Sequence, residues 1–120
     1  MKNTILFVDD ELINLFVLEK RFETDYNVLT AESAEDALKV VEENKSSLNA
    51  IISDLRMPGM DGLEFINQVK PNILDIPCFL LTGYDFTDQI NDAIKSSKIH
   101  YLFKKPFDYI EIDTKLKEVL

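Results

Sequence analysis

A chain of 120 residues is long enough to bury one core and too short for two, so one domain is expected to carry the whole function. Hydrophobic residues make up 46% and charged residues 29% of it, a globular balance that excludes a disordered or fibrous chain. Acidic residues outnumber basic ones 22 to 13, for a formal charge of −9, which weighs against direct contact with nucleic acid or an anionic membrane.

Met1 to Thr4 leads straight into the first of five short apolar runs, Thr4 to Val8, so no targeting segment or membrane anchor is expected. A helix follows from about Glu11 to Glu23, with Leu15, Leu18 and Phe22 as its inward stripe and Ile13, Phe16 and Val17 left over beyond it. The second run is Tyr26 to Ala31. Behind it, Ala34, Ala37, Leu38 and Val41 recur at helical spacing, with Ser33 placed to cap and Asp36 three residues on. The third run, Leu48 to Ser53, gives way to a helix opening on Asp61-Gly62-Leu63-Glu64, where the Asp side chain can accept from free first-turn N–H groups. The fourth run, Pro77 to Thr82, holds the single cysteine. Cys78 reads as a small buried hydrophobe without a partner, which suits a reducing cytoplasm. A fourth helix is expected from about Phe86 to Ser96 with Ile90, Ala93 and Ile94 inward. The fifth run spans Ile99 to Phe103, and a last helix opens on Asp108-Tyr109-Ile110-Glu111. There is no repeat, low-complexity tract or linker, and no apolar stretch near the roughly 20 residues that span a bilayer.

Strict alternation of strand and helix implies a parallel sheet covered on both faces, because parallel neighbours need crossovers. The fold class is therefore α/β, a doubly wound five-stranded sheet with helices on both faces, for which the flavodoxin-like order 2-1-3-4-5 is the expectation. Ligand chemistry in such folds gathers at the carboxyl ends of the strands. Those ends carry Asp9-Asp10-Glu11, Asp54, Thr82-Gly83 and Lys104-Lys105-Pro106.

Three carboxylates converging there would repel one another, and oxygen ligands of this kind are what Mg²⁺ or Mn²⁺ requires. A lysine and a hydroxyl beside the ion would supply donors for an added phosphoryl group. Each piece has a plainer reading. Asp9-Asp10 can cap the next helix, Asp54 before Met57-Pro58-Gly59 and Thr82-Gly83 can be turn residues, and Lys104-Lys105 a solvated pair. Those readings must all hold at once, at one sheet edge.

Four segments, Ile5-Leu6-Phe7-Val8-Asp9-Asp10-Glu11, Asp54-Leu55-Arg56-Met57-Pro58-Gly59-Met60-Asp61-Gly62, Leu81-Thr82-Gly83 and Lys105-Pro106-Phe107, resemble in order the signatures of response-regulator receiver domains of bacterial two-component systems. The resemblance covers the whole chain, and the second segment is the most specific. It implies that Asp54 is the phosphoacceptor. Asp10 would be a direct ligand of Mg²⁺, Asp9 would act mainly through water, and the backbone carbonyl of Arg56 would complete the protein's share. Thr82 and Lys105 would hold the phosphoryl oxygens, Lys105-Pro106 would be cis, and Gly62 would let the third helix start close to its neighbours. The donor would be a histidine kinase or histidine phosphotransfer protein, docked on the extra apolar residues of the first helix, and a downstream protein would read the phosphorylated state.

One position departs from the family. Receivers commonly carry Tyr or Phe three residues before the Lys of Lys-Pro, and here that residue is Leu102. Tyr101, one earlier, is expected on the opposite face of the strand. The signal would then travel through Thr82 and the loop Gly83-Tyr84-Asp85, with Tyr84 and Arg56 beside the acyl phosphate. Two other classes compete. A flavodoxin-like carrier would need a Ser/Thr/Gly-rich phosphate cradle after strand 1, where Asp9-Asp10-Glu11 would repel FMN. A Mg²⁺-dependent phosphatase with an aspartyl nucleophile usually carries D-x-D after strand 1, where this chain has Asp-Asp.

Overall fold

Successive side chains along a strand point to opposite faces, so a run that is apolar at every position needs cover on both sides. A computed structural model, describing residues 2–83 and 88–120, shows how the chain supplies it. The strands are β1 (Asn3–Val8), β2 (Tyr26–Ala31), β3 (Leu48–Asp54), β4 (Cys78–Thr82) and β5 (Tyr101–Lys104). They form one parallel sheet in the order β2-β1-β3-β4-β5. The helices are α1 (Leu12–Phe22), α2 (Ala34–Asn44), α3 (Gly62–Val69), α4 (Asp88–Lys95) and α5 (Tyr109–Val119), with a 3-10 turn at Lys70–Asn72. The expected start of α4 at Phe86 lies outside the described residues.

The two faces bury different chemistry. Ile5, Phe7, Ile52, Phe79, Leu81 and Phe103 pack under Leu15, Leu18 and Phe22 of α1 and Ile112 and Leu116 of α5. Phe79 stacks on Phe103 with ring centroids 5.6 Å apart. On the other face Leu6, Val8, Ile51, Cys78, Leu80 and Leu102 meet the apolar stripes of α2, α3 and α4. Cys78 is fully buried, and desolvation pushes its thiol up to about 11. Among the described residues no helix is long and apolar enough to cross a membrane.

Helix starts follow the expected capping chemistry. Ser33 accepts from the Asp36 N–H at 3.0 Å, Asp61 and Glu64 form a reciprocal capping box, and Asp108 accepts from Ile110 and Glu111. Two elements differ from expectation. The strand-like run at Ile99 begins as the exit of α4: Ser97 takes φ 64°, and Lys98 and Ile99 both donate to the Ala93 carbonyl. A residue in the left-handed region ends a helix in this way, so Ile99 is buried as a plug under α4, and β5 starts two residues later. The turn at Lys70–Asn72 was not expected; there Lys70 reaches forward to donate to the Ile76 carbonyl at 2.5 Å.

Gly62 fixes the position of α3. Its N–H donates to the Leu55 carbonyl at 2.9 Å. A Cβ there would run into the backbone carbonyl of Asp54 and lie 2.9 Å from Ser53 Oγ. Because the obstruction is backbone, Gly62→Ala is expected to lower the free energy of unfolding by about 3 kcal/mol, the upper end of what overpacking costs. Urea unfolding checks this, and an unchanged midpoint would mean that α3 moves aside freely.

Candidate functional site

The strand order creates the site. From β1 the chain leaves through α1 on the aromatic face, whereas from β3 it leaves through α3 on the opposite face. The loops after these two neighbouring strands diverge and open a cleft at the carboxyl edge, the place where doubly wound sheets bind ligands. Register sets the side chains around it. Asp54 pairs with Leu81, and Thr82 with Lys104, while the Lys105 N–H donates to the Thr82 carbonyl at 2.9 Å.

Asp9, Asp10 and Asp54 each bring one carboxylate oxygen to within 4.8 Å of the others. Asp9 and Asp54 are buried and Asp10 is exposed. Lys105 Nζ lies 3.0 Å from Asp54 Oδ1. The peptide bond Lys105-Pro106 is cis, as the resemblance implied. Thr82 is buried at the end of β4, one residue past the Leu81 that pairs with Asp54, and Arg56 is exposed two residues after Asp54. Tyr84 and Asp85 lie outside the described residues.

Burial is the first cause that raises the Asp54 pKa above the ordinary carboxylate value. The hydrogen bond from Lys105 opposes it, and the charges of Asp9 and Asp10 add to it. Asp9 is raised for the same leading reason, against donors from Glu11 and Asn14 and the charge of Lys105. Burial alone would lower the Lys105 pKa, but the hydrogen bond to Asp54 and the charges of Asp54, Asp9 and Glu11 reverse this and raise it. The two shifts differ in meaning: the carboxyl side is overcrowded, whereas the lysine is well served. With all groups ionised, three carboxylates crowd one edge, where Lys105 is in contact with Asp54. Oxygen donors only, close together and short of positive charge, fit a hard divalent cation such as Mg²⁺.

Sequence reasoning passed over Asn14. Its side-chain amide donates to Asp9 Oδ2 at 3.2 Å, while the Glu11 N–H donates to Asp9 Oδ1 at 2.9 Å. The available signal was an amide, a poor helix former, set between Ile13 and Leu15 one turn beyond the acidic run. At the switch position, Leu102 is buried against the α2/α3/α4 face. The β4/β5 register is unbroken, so Tyr101 lies on the other face, its hydroxyl donating to Glu111 at 3.2 Å and its ring 5.1 Å from Phe103.

Comparison with known proteins is consistent across sequence and structure. The family model described as response regulator receiver domain matches residues 5–117. A histidine kinase, P4, of Formosa agariphila is 35% identical over 99% of this chain. The transcriptional regulatory protein ZraR of Klebsiella oxytoca is 32% identical over 97% of it. The chain spans 9% and 26% of the lengths of these two relatives. Among solved structures, the response regulator TrrA of Thermotoga maritima, in complex with Mg²⁺ and BeF, superposes with a TM-score of 0.81 at 31% identity, covering all of both chains.

The raised carboxyls have a consequence for stability. The folded protein holds protons there that the unfolded chain releases, so this contribution is full below the ordinary value of 3.8 and is lost as pH rises through the raised values. In metal-free buffer Asp9→Asn escapes its part of that loss, so its stability relative to the natural chain is expected to grow as pH rises above the ordinary carboxylate value of 3.8. Urea midpoints of both proteins across this range test it, and a constant difference would overturn it.

Proposed function

The chain belongs to the response regulator receiver domain family, and on that premise we propose that it accepts a phosphoryl group on Asp54 from the phosphohistidine of a histidine kinase or phosphotransfer protein. The observation that carries this reading is Asp54 itself, buried at the end of β3 with Lys105 Nζ at 3.0 Å and two further carboxylates within 4.8 Å. A carboxylate oxygen of Asp54 attacks phosphorus, the phosphorus–nitrogen bond breaks, and the imidazole leaves with the electron pair. The product is an acyl phosphate, which water later hydrolyses to phosphate and the free carboxylate. Transfer of this kind asks mainly for position and charge stabilisation. Lys105 and the Thr82 hydroxyl are the donors for the phosphoryl oxygens. Asp10, Asp9, Asp54 and the Arg56 carbonyl would hold Mg²⁺ or Mn²⁺, which when bound would neutralise charge between the carboxylates and the incoming group.

Family membership gives no support to the electron-carrier and phosphatase readings. The reading extends to a cytoplasmic location, where a reduced Cys78 belongs, and to an unidentified downstream protein that distinguishes the phosphorylated state. A small acyl-phosphate or phosphoramidate donor with Mg²⁺ is expected to add one phosphoryl group to the intact protein and none to Asp54→Asn, as read by intact mass. Undiminished labelling of the variant would overturn the assignment.

The donor protein needs a surface, and α1 offers one. Ile13 is 78% and Phe16 60% exposed, with Leu12 and Val17 exposed beside them, on the helix that starts at the acidic edge. Contiguous apolar exposure of this kind marks an interaction site and suits an apolar helix of the phosphodonor. Ile13→Ser and Phe16→Ser are expected to slow transfer from the cognate kinase while small-donor labelling keeps its rate. Equal loss with both donors would count against a docking role.

A further inference from the structure

Resting on the reading of Asp9, Asp10 and Asp54 as a divalent-cation site, we propose that Asn14 is a positioning residue of that site, its side-chain amide holding the buried Asp9 carboxylate in place for the cation.

Asp9 is fully buried and carries one donor on each oxygen, the Glu11 N–H on Oδ1 and Asn14 Nδ2 on Oδ2. The backbone donor comes with the start of α1, whatever the sequence there. Asn14 is the donor that a side chain provides, from the first turn of α1. Both hydrogen bonds favour the ionised carboxylate that a cation needs. A carboxylate held at both oxygens also cannot swing away from two negative neighbours. The amide suits this task because it is neutral. A lysine would bring its own positive charge against the ion, and an aspartate would add a fourth carboxylate. The helix itself gains nothing from the residue: asparagine is among the poorer helix formers and alanine is the best. Partners that orient a metal's ligands typically change affinity by about 10- to 100-fold when removed.

The test uses Asn14→Ala and Asn14→Leu, the latter close in size to asparagine but without a donor. Mg²⁺ binding is measured by calorimetric titration, and melting in metal-free buffer is followed beside it. Both variants are expected to raise the Mg²⁺ dissociation constant by about tenfold or more, with metal-free melting of Asn14→Ala not lowered. In small-donor labelling, the Mg²⁺ concentration for half-maximal rate should rise in step, and the rate at saturating Mg²⁺ should stay near that of the natural chain. If the natural chain binds Mg²⁺ and both variants bind it equally well, the cation site stands and the role of Asn14 is refuted. If metal-free melting falls in both variants, Asn14 is a structural residue and the proposal also fails. Absence of saturable Mg²⁺ binding by the natural chain would instead remove the site and, with it, the proposal.

Discussion

Mutual repulsion among three carboxyl groups stands at the carboxyl edge of the sheet, and much of the structure serves to hold it there. Three aspartates bring carboxylate oxygens within 4.8 Å of one another, and Lys105 contacts one of them. Left to a flexible loop, such groups would separate into water. Here Asp54 ends β3 and Asp9 directly follows β1, adjacent strands in the middle of the sheet, and core packs on both faces of those strands. Hydrophobic burial elsewhere thus holds an electrostatic arrangement that is unfavourable without a cation or an added donor.

The same residues take part in starting the helices. Glu11 stands at the N-cap of α1 without a side-chain hydrogen bond, and its N–H is taken up by Asp9 from two residues earlier. The plain reading of the acidic pair, as a local cap, is therefore partly true and compatible with the functional one. On the other side of the cleft Asp61 caps α3 fully, and Gly62 brings that helix against the backbone of Asp54. Asp54 is hemmed in by a helix start behind it and a lysine beside it. That gives its carboxylate a defined direction.

The fold was legible wherever apolar periodicity and capping chemistry agreed. The range Tyr26 to Ala31 was read with its observed limits, and Ser33, Asp61 and Asp108 all cap as their spacing implied. Legibility failed where an apolar residue is buried for another reason than strand pairing. Ile99 looks like the start of β5 because it is apolar, but it closes the end of α4 after Ser97 turns left-handed. The carboxylates, the hydroxyl and the lysine of the candidate site were visible because strand ends in this topology share one edge. Asn14 was not, since helical periodicity reads a lone amide between apolar residues as a solvent-facing filler. Its meaning exists only in three dimensions, one turn above Asp9.

Cys78 carries a practical consequence of the two-sided core. It is the only cysteine in the chain, fully buried, with its thiol far from ionised at neutral pH and its sulfur 3.6 Å from the Ile76 carbonyl. A thiol reagent reaches it only when the amino-terminal end of β4 parts from its cover, so the rate of modification counts openings of that end of the sheet. Cys78 and the end of β4 that meets the acidic edge lie at opposite ends of one strand. A natural, single-site reporter is therefore built into the far end of the element that carries Thr82, and alkylation kinetics can register whether events at one end of β4 are felt at the other.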